Sequence, residues 1–234
     1  MRELSFTFLE KYYPVFLEGI KWTISIALVT VIMGVILGSI LCLMKTVKVK
    51  FFNIRIIESL LTAILRIVSN VYVEIIRGTP LLLQIYLVFF GLPALGVKFG
   101  AFTSCVIALS LNSAAYVSEI IRAGIEAVDK GQMEAARSLG MTEAKGMIYI
   151  VIPQAIKNIL PAIGNEFVAV IKESSMASTI GVAEIMYAVN VVKGATWKSF
   201  EPLIVAAVCY FTITFTLGRL LGILERRLKA SDSR

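Results

Sequence analysis

Five apolar runs divide the chain: Trp22 to Met44, Val71 to Pro93 with one interruption, Phe102 to Ile121, Ile159 to Ile171, and Pro202 to Leu224. Each approaches or exceeds the roughly 20 residues that carry a helix across a bilayer, except the fourth, which must recruit polar flanks such as Asn165 and Glu166. The pattern predicts an all-α membrane protein with about five transmembrane helices. Between the runs, residues 51–70 are interrupted by Arg55, Glu58 and Arg66, which suits an amphipathic helix lying in the interface. The competing reading makes Ile56 to Tyr72 a span. It would move everything downstream to the other side of the membrane unless another span were lost. Ser174 to Phe200 reads as an external loop with a short helix over Ile180 to Val189.

Composition agrees with this pattern. Of 234 residues, 58% are hydrophobic, and the mean hydropathy is +0.84, too apolar for a soluble domain. The net charge of +7 follows from topology. Basic residues gather after the first run (Lys45, Lys48, Lys50, Arg55), between the third and fourth (Lys130, Arg137, Lys145, Lys157) and in the tail (Arg226, Arg227, Lys229, Arg234). The other loops carry mixed charge, with Glu3, Glu10 and Glu18 beside Arg2 and Lys11, and Glu184 and Glu201 beside Lys193 and Lys198. The positive-inside rule then places the N-terminus outside and the C-terminus in the cytoplasm. No basic–aromatic interleaving points to nucleic acid. Met1 to Gly19 lacks the basic start and cleavage site of a signal peptide, so the first span is expected to be retained. Cys42, Cys105 and Cys209 are widely spaced within apolar runs and read as small buried hydrophobes. The chain has no His, which removes the usual general base and metal ligand.

One polar, helix-prone stretch stands out among the apolar runs, Glu134 to Pro153 (EAARSLGMTEAKGMIYIVIP). Glu134 to Leu139 are good helix formers. Gly140 suits the left-handed position that ends a helix, Thr142 suits an N-cap, and Pro153 is expected to bound the second helix. Glu134, Arg137, Glu143 and Lys145 give this helix–turn–helix a polar face, while Ala135, Leu139, Met147 and Ile148 are apolar enough to fill a groove on a partner. The spacing Glu-Ala-Ala, three residues, Gly140, nine residues, Ile150, one residue, Ile152, Pro153 resembles the cytoplasmic coupling loop of ATP-binding-cassette importer permeases. The departure is Ile152, where that family usually has Leu.

Further polar groups lie within the apolar runs, where they are expensive and therefore functional candidates. Glu74 and Arg77 are three apart and can pair on one helical face, and Pro80 is expected to kink the helix that follows them. Asn112, Tyr116, Glu119 and Ala123 share a face, with Arg122 a turn beyond Glu119. Glu119 and Arg122 form either a structural pair or part of a gate, and Asn112 lies deeper. Pro161 and Gly164 are expected to break the fourth span next to Asn165 and Glu166, a carboxylate that suits an ammonium or guanidinium. The alternative for Glu166 is pairing with Arg122 or Lys172. Gly34 and Gly38 form a small-xxx-small pair for close helix approach. The block Glu74-x-x-Arg77-Gly78-Thr79-Pro80 and the stretch Pro153 to Ser175 resemble the polar amino-acid permeases within the importer class, and the likeness covers nearly the whole chain.

That resemblance implies a type I ABC importer-like permease, one domain over 1–234, with cytoplasmic coupling helices at 134–153 that dock an ABC ATPase subunit through Glu134, Ala135, Ala136, Arg137, Leu139, Gly140 and Pro153. It implies that ATP and Mg bind the partner, since the chain has no Gly-x4-Gly-Lys-Ser/Thr loop, and that no cofactor binds this chain. It implies a second permease subunit, identical or not, an external solute-binding protein, a gating role for the 180–189 element, and residence in the bacterial cytoplasmic (inner) membrane. The expected substrates are polar amino acids, moved by alternating access past Asn112, Asn165 and Glu166. Glu166 favours a basic side chain; glutamine, glutamate or cystine are the alternatives. An ion-coupled carrier or channel is the rival class, and a membrane enzyme lacks a nucleophile–base pair.

Overall fold

The computed structural model describes residues 4–46 and 55–230. Arg2, Glu3, Lys48, Lys50, Arg234 and residues 51–54 of the expected interfacial helix lie outside the described residues. Among the described residues every regular element is helical: α1 (Leu9–Thr46), α2 (Arg55–Gly78), the short α3 (Leu81–Ala94), α4 (Ala101–Glu126), α5 (Lys130–Ser138), α6 (Glu143–Gly146), α7 (Ile152–Glu173), α8 (Ile185–Thr196) and α9 (Glu201–Ala230). Five helical stretches are long and apolar enough to span, namely Leu9–Thr46, Ile56–Gly78, Ala101–Glu126, Glu143–Ile180 and Glu201–Leu228.

The count agrees with the sequence, but the second span is placed differently. Residues 71–93 do not form one helix. Pro80 sits at φ −62° and ψ 133° in extended backbone, where its ring removes a donor and bars the helical conformation before it. The chain therefore stops at Gly78 and restarts as α3, about 21 Å long and too short to cross. The competing reading at Ile56 is the one the structure favours, since Ile56–Gly78 within α2 is long and apolar enough to cross. Its Ile56, Leu60, Ile64, Ile67, Val71 and Ile75 make an exposed apolar stripe, while Arg66 donates from Nε to the Lys45 carbonyl at 3.2 Å. One run loses a candidate span and its neighbour gains one, so the number of candidate spans before residues 134–153 is the expected three.

Contacts group the chain into two units. The first comprises the described residues up to Ile32, Thr79–Ser110 and Phe167–Arg219. One of its cores collects Ile26, Ile85, Cys105, Leu109 and Ile180, with Trp22 edge-on to Phe102 at 5.1 Å. The other core is built on α8. The helix does not span Ile180 to Val189 as expected, because residues 174–180 form a 3-10 turn that Gly181 closes at φ 85°. The helical apolar face is instead Ile185, Ala188, Val189 and Val192, packed against Phe8 and Phe16.

Glu184 anchors the start of α8. It caps the helix by accepting from the Tyr187 N–H at 2.8 Å and accepts from the Tyr210 hydroxyl at 2.6 Å, while the Ile185 N–H donates to Thr23 Oγ1 at 3.4 Å. Burial pushes the Glu184 carboxyl above the ordinary carboxylate range, against these hydrogen bonds, which pull it down. An acid whose folded-state pKa is raised stabilises the fold while it is protonated, and that contribution is lost as pH rises through the raised value. The melting temperature of the purified chain in detergent is therefore expected to fall as pH rises above the ordinary glutamate value. Glu184→Gln, which keeps the shape and the cap, should flatten that fall. An identical slope in the variant would place the titration elsewhere.

The second unit comprises Met33–Gly78, Leu111–Glu166 and the chain from Leu220 onward. Here the Gly34/Gly38 pair does what its spacing predicts. A Cβ on Gly38 would sit 2.9 Å from both the Ala114 carbonyl oxygen and Val117, and one on Gly34 would sit 2.7 Å from Ser113 Oγ. In lipid, such backbone-to-backbone approach supplies the dispersion energy that the hydrophobic effect does not. The Tyr72 hydroxyl donates to the Leu111 carbonyl at 2.7 Å and Ser69 to the Leu41 carbonyl at 3.0 Å. The break expected at Pro161 and Gly164 does not occur, since α7 runs through both. Gly164 serves packing instead: a Cβ there would meet Leu221 Cδ2 at 2.2 Å.

Candidate functional site: the coupling helices and a charged cavity

Glu134, Ala135, Ala136 and Arg137 all lie on α5, whose first turn is capped by the Asp129 side chain accepting from the Gly131 N–H at 2.7 Å. Ala136 is buried. A Cβ on Gly146 would lie 3.4 Å from its Cβ and 2.8 Å from Met133 Sδ, so α5 and α6 pack back to back through two small residues. Gly140 takes φ 81° as expected. Its N–H bonds to Arg137 O at 2.9 Å and that of Met141 to Ala136 O at 3.1 Å, the pair of bonds that defines a Schellman stop. Thr142 caps α6 by accepting from the Lys145 N–H at 3.4 Å.

Pro153 does not bound the second helix. Residues 147–151 form a π turn, and α7 begins at Ile152. A widened turn has already given up the regular i→i−4 ladder where the proline would interrupt it, so the rod passes from the 134–153 stretch into α7 without a stop. Gln154 Nε2 donates to Gln132 Oε1 at 3.1 Å and ties that rod to α5. Leu139 (85% exposed), Ile148 (56%) and Tyr149 (67%) contribute little to the packing of this chain and form a greasy outer face. Ala135 is exposed too, and Met147 half-buried. Tyr149 was absent from the sequence reading, although its place beside Ile148 in an otherwise polar stretch was available.

The second constellation is charged. Glu119 is held on both oxygens, by Lys45 Nζ at 2.6 Å and Arg122 Nη2 at 2.8 Å, and Arg122 reaches on to Glu126 at 2.7 Å. The Glu119–Arg122 pair is thus present, with Lys45 as a further partner that sequence reading had left among the basic loop residues. Glu74 and Arg77 do not pair as expected. Among the described residues no ion pair joins them, and the Arg77 guanidinium lies 5.2 Å over the Tyr116 ring. Both line a cavity of about 360 Å³ with Lys45, Asn70, Glu119 and Arg122. Tyr116 was on the predicted face of α4; its service as a platform for Arg77 was not foreseen.

Asn112, Asn165 and Glu166 do not line that cavity. Asn112 is buried and Asn165 exposed, and Glu166 is half-buried. Glu166 Oε1 accepts from Ser113 Oγ at 2.8 Å; no ion pair to Arg122 or Lys172 forms among the described residues. Ser113, next to Asn112, is the partner the sequence analysis missed.

Residues 56–230 match the profile of the family described as binding-protein-dependent transport system inner membrane component. The chain belongs to that family. This permease is 43% identical to the arginine transport system permease protein ArtQ of Bacillus subtilis (strain 168), over 94% of each chain. It is 39% identical to the putative glutamine transport system permease protein GlnP of Rickettsia felis, over 95% of this chain and 98% of that one. Among solved structures, the permease resembles an amino acid ABC transporter crystallised with histidines, at TM-score 0.87 and 45% identity over 97% of this chain and 100% of the other. The inward-facing MetNI methionine transporter, at TM-score 0.67 and 16% identity over 91% and 97%, shares the fold. The permease is the membrane-spanning subunit of an ABC importer, and ATP hydrolysis is carried out by a separate ATPase subunit.

Proposed function

We propose that this permease imports polar amino acids across the bacterial cytoplasmic membrane, the whole chain acting as one translocation domain. The observation that supports it best is the couple of Glu74 and Arg77, which share one cavity and form no ion pair among the described residues. Two opposite charges three residues apart on a helix ordinarily neutralise each other. Held separately, they complement the α-ammonium and α-carboxylate common to every amino acid, and Lys45, Glu119 and Arg122 fix the walls around them. The substrates in the names of those relatives differ in side chain (arginine, glutamine) but share those two groups.

The topology is N-terminus outside and C-terminus in the cytoplasm, as the basic residues favour. The coupling stretch then faces the cytoplasm, where Leu139, Ile148 and Tyr149 seat on the ATPase, whose closure drives alternating access. ATP and Mg belong to that subunit. A second permease copy or homologue completes the pathway, and an external solute-binding protein supplies substrate. Glu166 lies outside the cavity of Glu74 and Arg77 and is a separate contact along the pathway: its carboxylate, which accepts from Ser113, favours passage of a cationic side chain such as that of arginine.

Reconstitution of the permease with its ATPase and binding protein in liposomes tests this reading. ATP-dependent uptake of radiolabelled arginine is expected, with agmatine, which lacks the carboxylate, failing to compete. Uptake driven by an ion gradient without ATP would overturn it. Within the same assay, Glu166→Gln should lower arginine uptake about tenfold, the loss of one charged hydrogen bond, and glutamine uptake much less. Equal arginine uptake by variant and parent would remove Glu166 from the pathway.

A further inference from the structure

Trp197 is the one non-glycine residue with positive φ among the described residues, at φ 58° and ψ 13°, where it ends α8. A bulky side chain is strained there, and glycine or asparagine would make the same turn without strain. Strain of this kind persists in a fold when the residue serves a purpose that its own packing does not explain. Packing gives no explanation here, because the indole is 89% exposed.

The backbone around it is nevertheless held firmly. The Trp197 N–H donates to the Lys193 carbonyl at 3.0 Å and the Lys198 N–H to Thr196 Oγ1 at 3.4 Å. The Lys198 ammonium donates to the Ser5 carbonyl at 2.6 Å and lies 5.8 Å over the Phe8 ring, fastening the turn to the start of the chain. A displayed indole on a fixed turn is preorganised for binding, with little ordering left to lose. Beside it opens a recess of about 470 Å³, walled by Leu4, Trp197, Phe200 and Glu201. Leu4 and Phe200 are 57% and 61% exposed. An apolar centre of Trp, Phe and Leu rimmed by Lys198 and Glu201 has the layout of a protein-binding hot spot.

The occupant follows from topology and charge. In the topology proposed above, α7 is the one candidate span between residues 134–153 and this turn, which assigns the turn to the outer face. The family's transport systems are described as binding-protein-dependent, and the proposed topology, with the ATPase on the cytoplasmic face, leaves the outer face for that protein. A lipid surface fits less well, because the Glu201 carboxylate in the recess would face phosphate head groups. We propose that Trp197, flanked by Leu4 and Phe200, is the anchor by which this permease docks its solute-binding protein, an inference that rests on the importer topology above.

The test uses the permease–ATPase complex in phosphatidylcholine nanodiscs. The probe is whichever purified, amino-acid-loaded binding protein of the source organism most stimulates wild-type ATPase. Trp197→Ala and the strain-relieving Trp197→Gly are both expected to raise the Kd for that protein at least tenfold, with basal ATP hydrolysis retained. A Kd unchanged in both variants overturns the proposal. So does a loss confined to binding of protein-free liposomes, which would make the indole a membrane anchor. Failure of every binding protein to stimulate the wild type would overturn the importer reading itself, and is distinguishable because no variant enters that comparison.

Discussion

Arg77→Ala is expected to reduce amino-acid uptake between about tenfold and a hundredfold while the helical fold survives. Among the described residues the guanidinium is in no ion pair, so its removal strands no carboxylate there. The fold loses only the contact with Tyr116, worth about 0.5–1 kcal/mol. A substrate carboxylate, by contrast, loses a charge-assisted hydrogen bond worth about 1.5–3 kcal/mol, which at about 1.4 kcal/mol per decade gives the stated range in affinity. Kinetics of reconstituted uptake would show the loss chiefly as a raised KM. Glu74→Gln should act in the same direction through the ammonium. The pattern that would sink the cavity as a substrate site is wild-type KM in both variants, or equal loss in a thermal-stability assay, which would mean that the charges are structural.

Leu139→Asp is the second large effect, and it separates coupling from folding. The side chain is 85% exposed at the end of α5, so neither the melting temperature nor membrane insertion of the isolated permease should change. Seating a leucine fully in a partner's groove contributes about 1.5–3 kcal/mol, and a carboxylate in that groove adds a desolvation cost. Together these predict at least a thirtyfold loss in ATPase association and loss of ATP-driven uptake. Co-purification with the ATPase, read beside a melting curve of the permease alone, checks both halves. Retained association would show that the groove lies over another part of the 134–153 stretch.

What the sequence disclosed was local. Gly140 and Thr142 act within three or four residues of themselves, so the stop and restart between α5 and α6 were legible and stand where expected. Gly34 and Gly38 were legible for the same reason, since a four-residue spacing is a property of one helix. Hydropathy misplaced the second span because it averages across Pro80, whose effect on the backbone is absolute while its effect on mean hydropathy is slight. The proline rule then erred in the other direction at Pro153 and Pro161, where the π turn and the continuous α7 absorb the missing donors. The cavity was the least legible feature. Its ion pair joins Lys45 to Glu119 across 74 positions, and nothing within a helical turn of either residue announces the other. Glu74 and Arg77 misled for a related reason: spacing shows that two charges can pair, and only the neighbouring Tyr116 shows that they do not.

The bond from the Ile185 N–H to Thr23 joins residues 162 positions apart, which bears on how the protein is made. At synthesis rates of about 5–20 residues per second, Thr23 leaves the ribosome about 8–32 s before its partner. The first span must therefore rest in the bilayer with Thr23 lacking this partner while most of the chain is still being written. A cell that slows translation after α1 lengthens that exposure, so destabilising substitutions near Thr23 should act first as losses of yield, through quality control of the nascent chain.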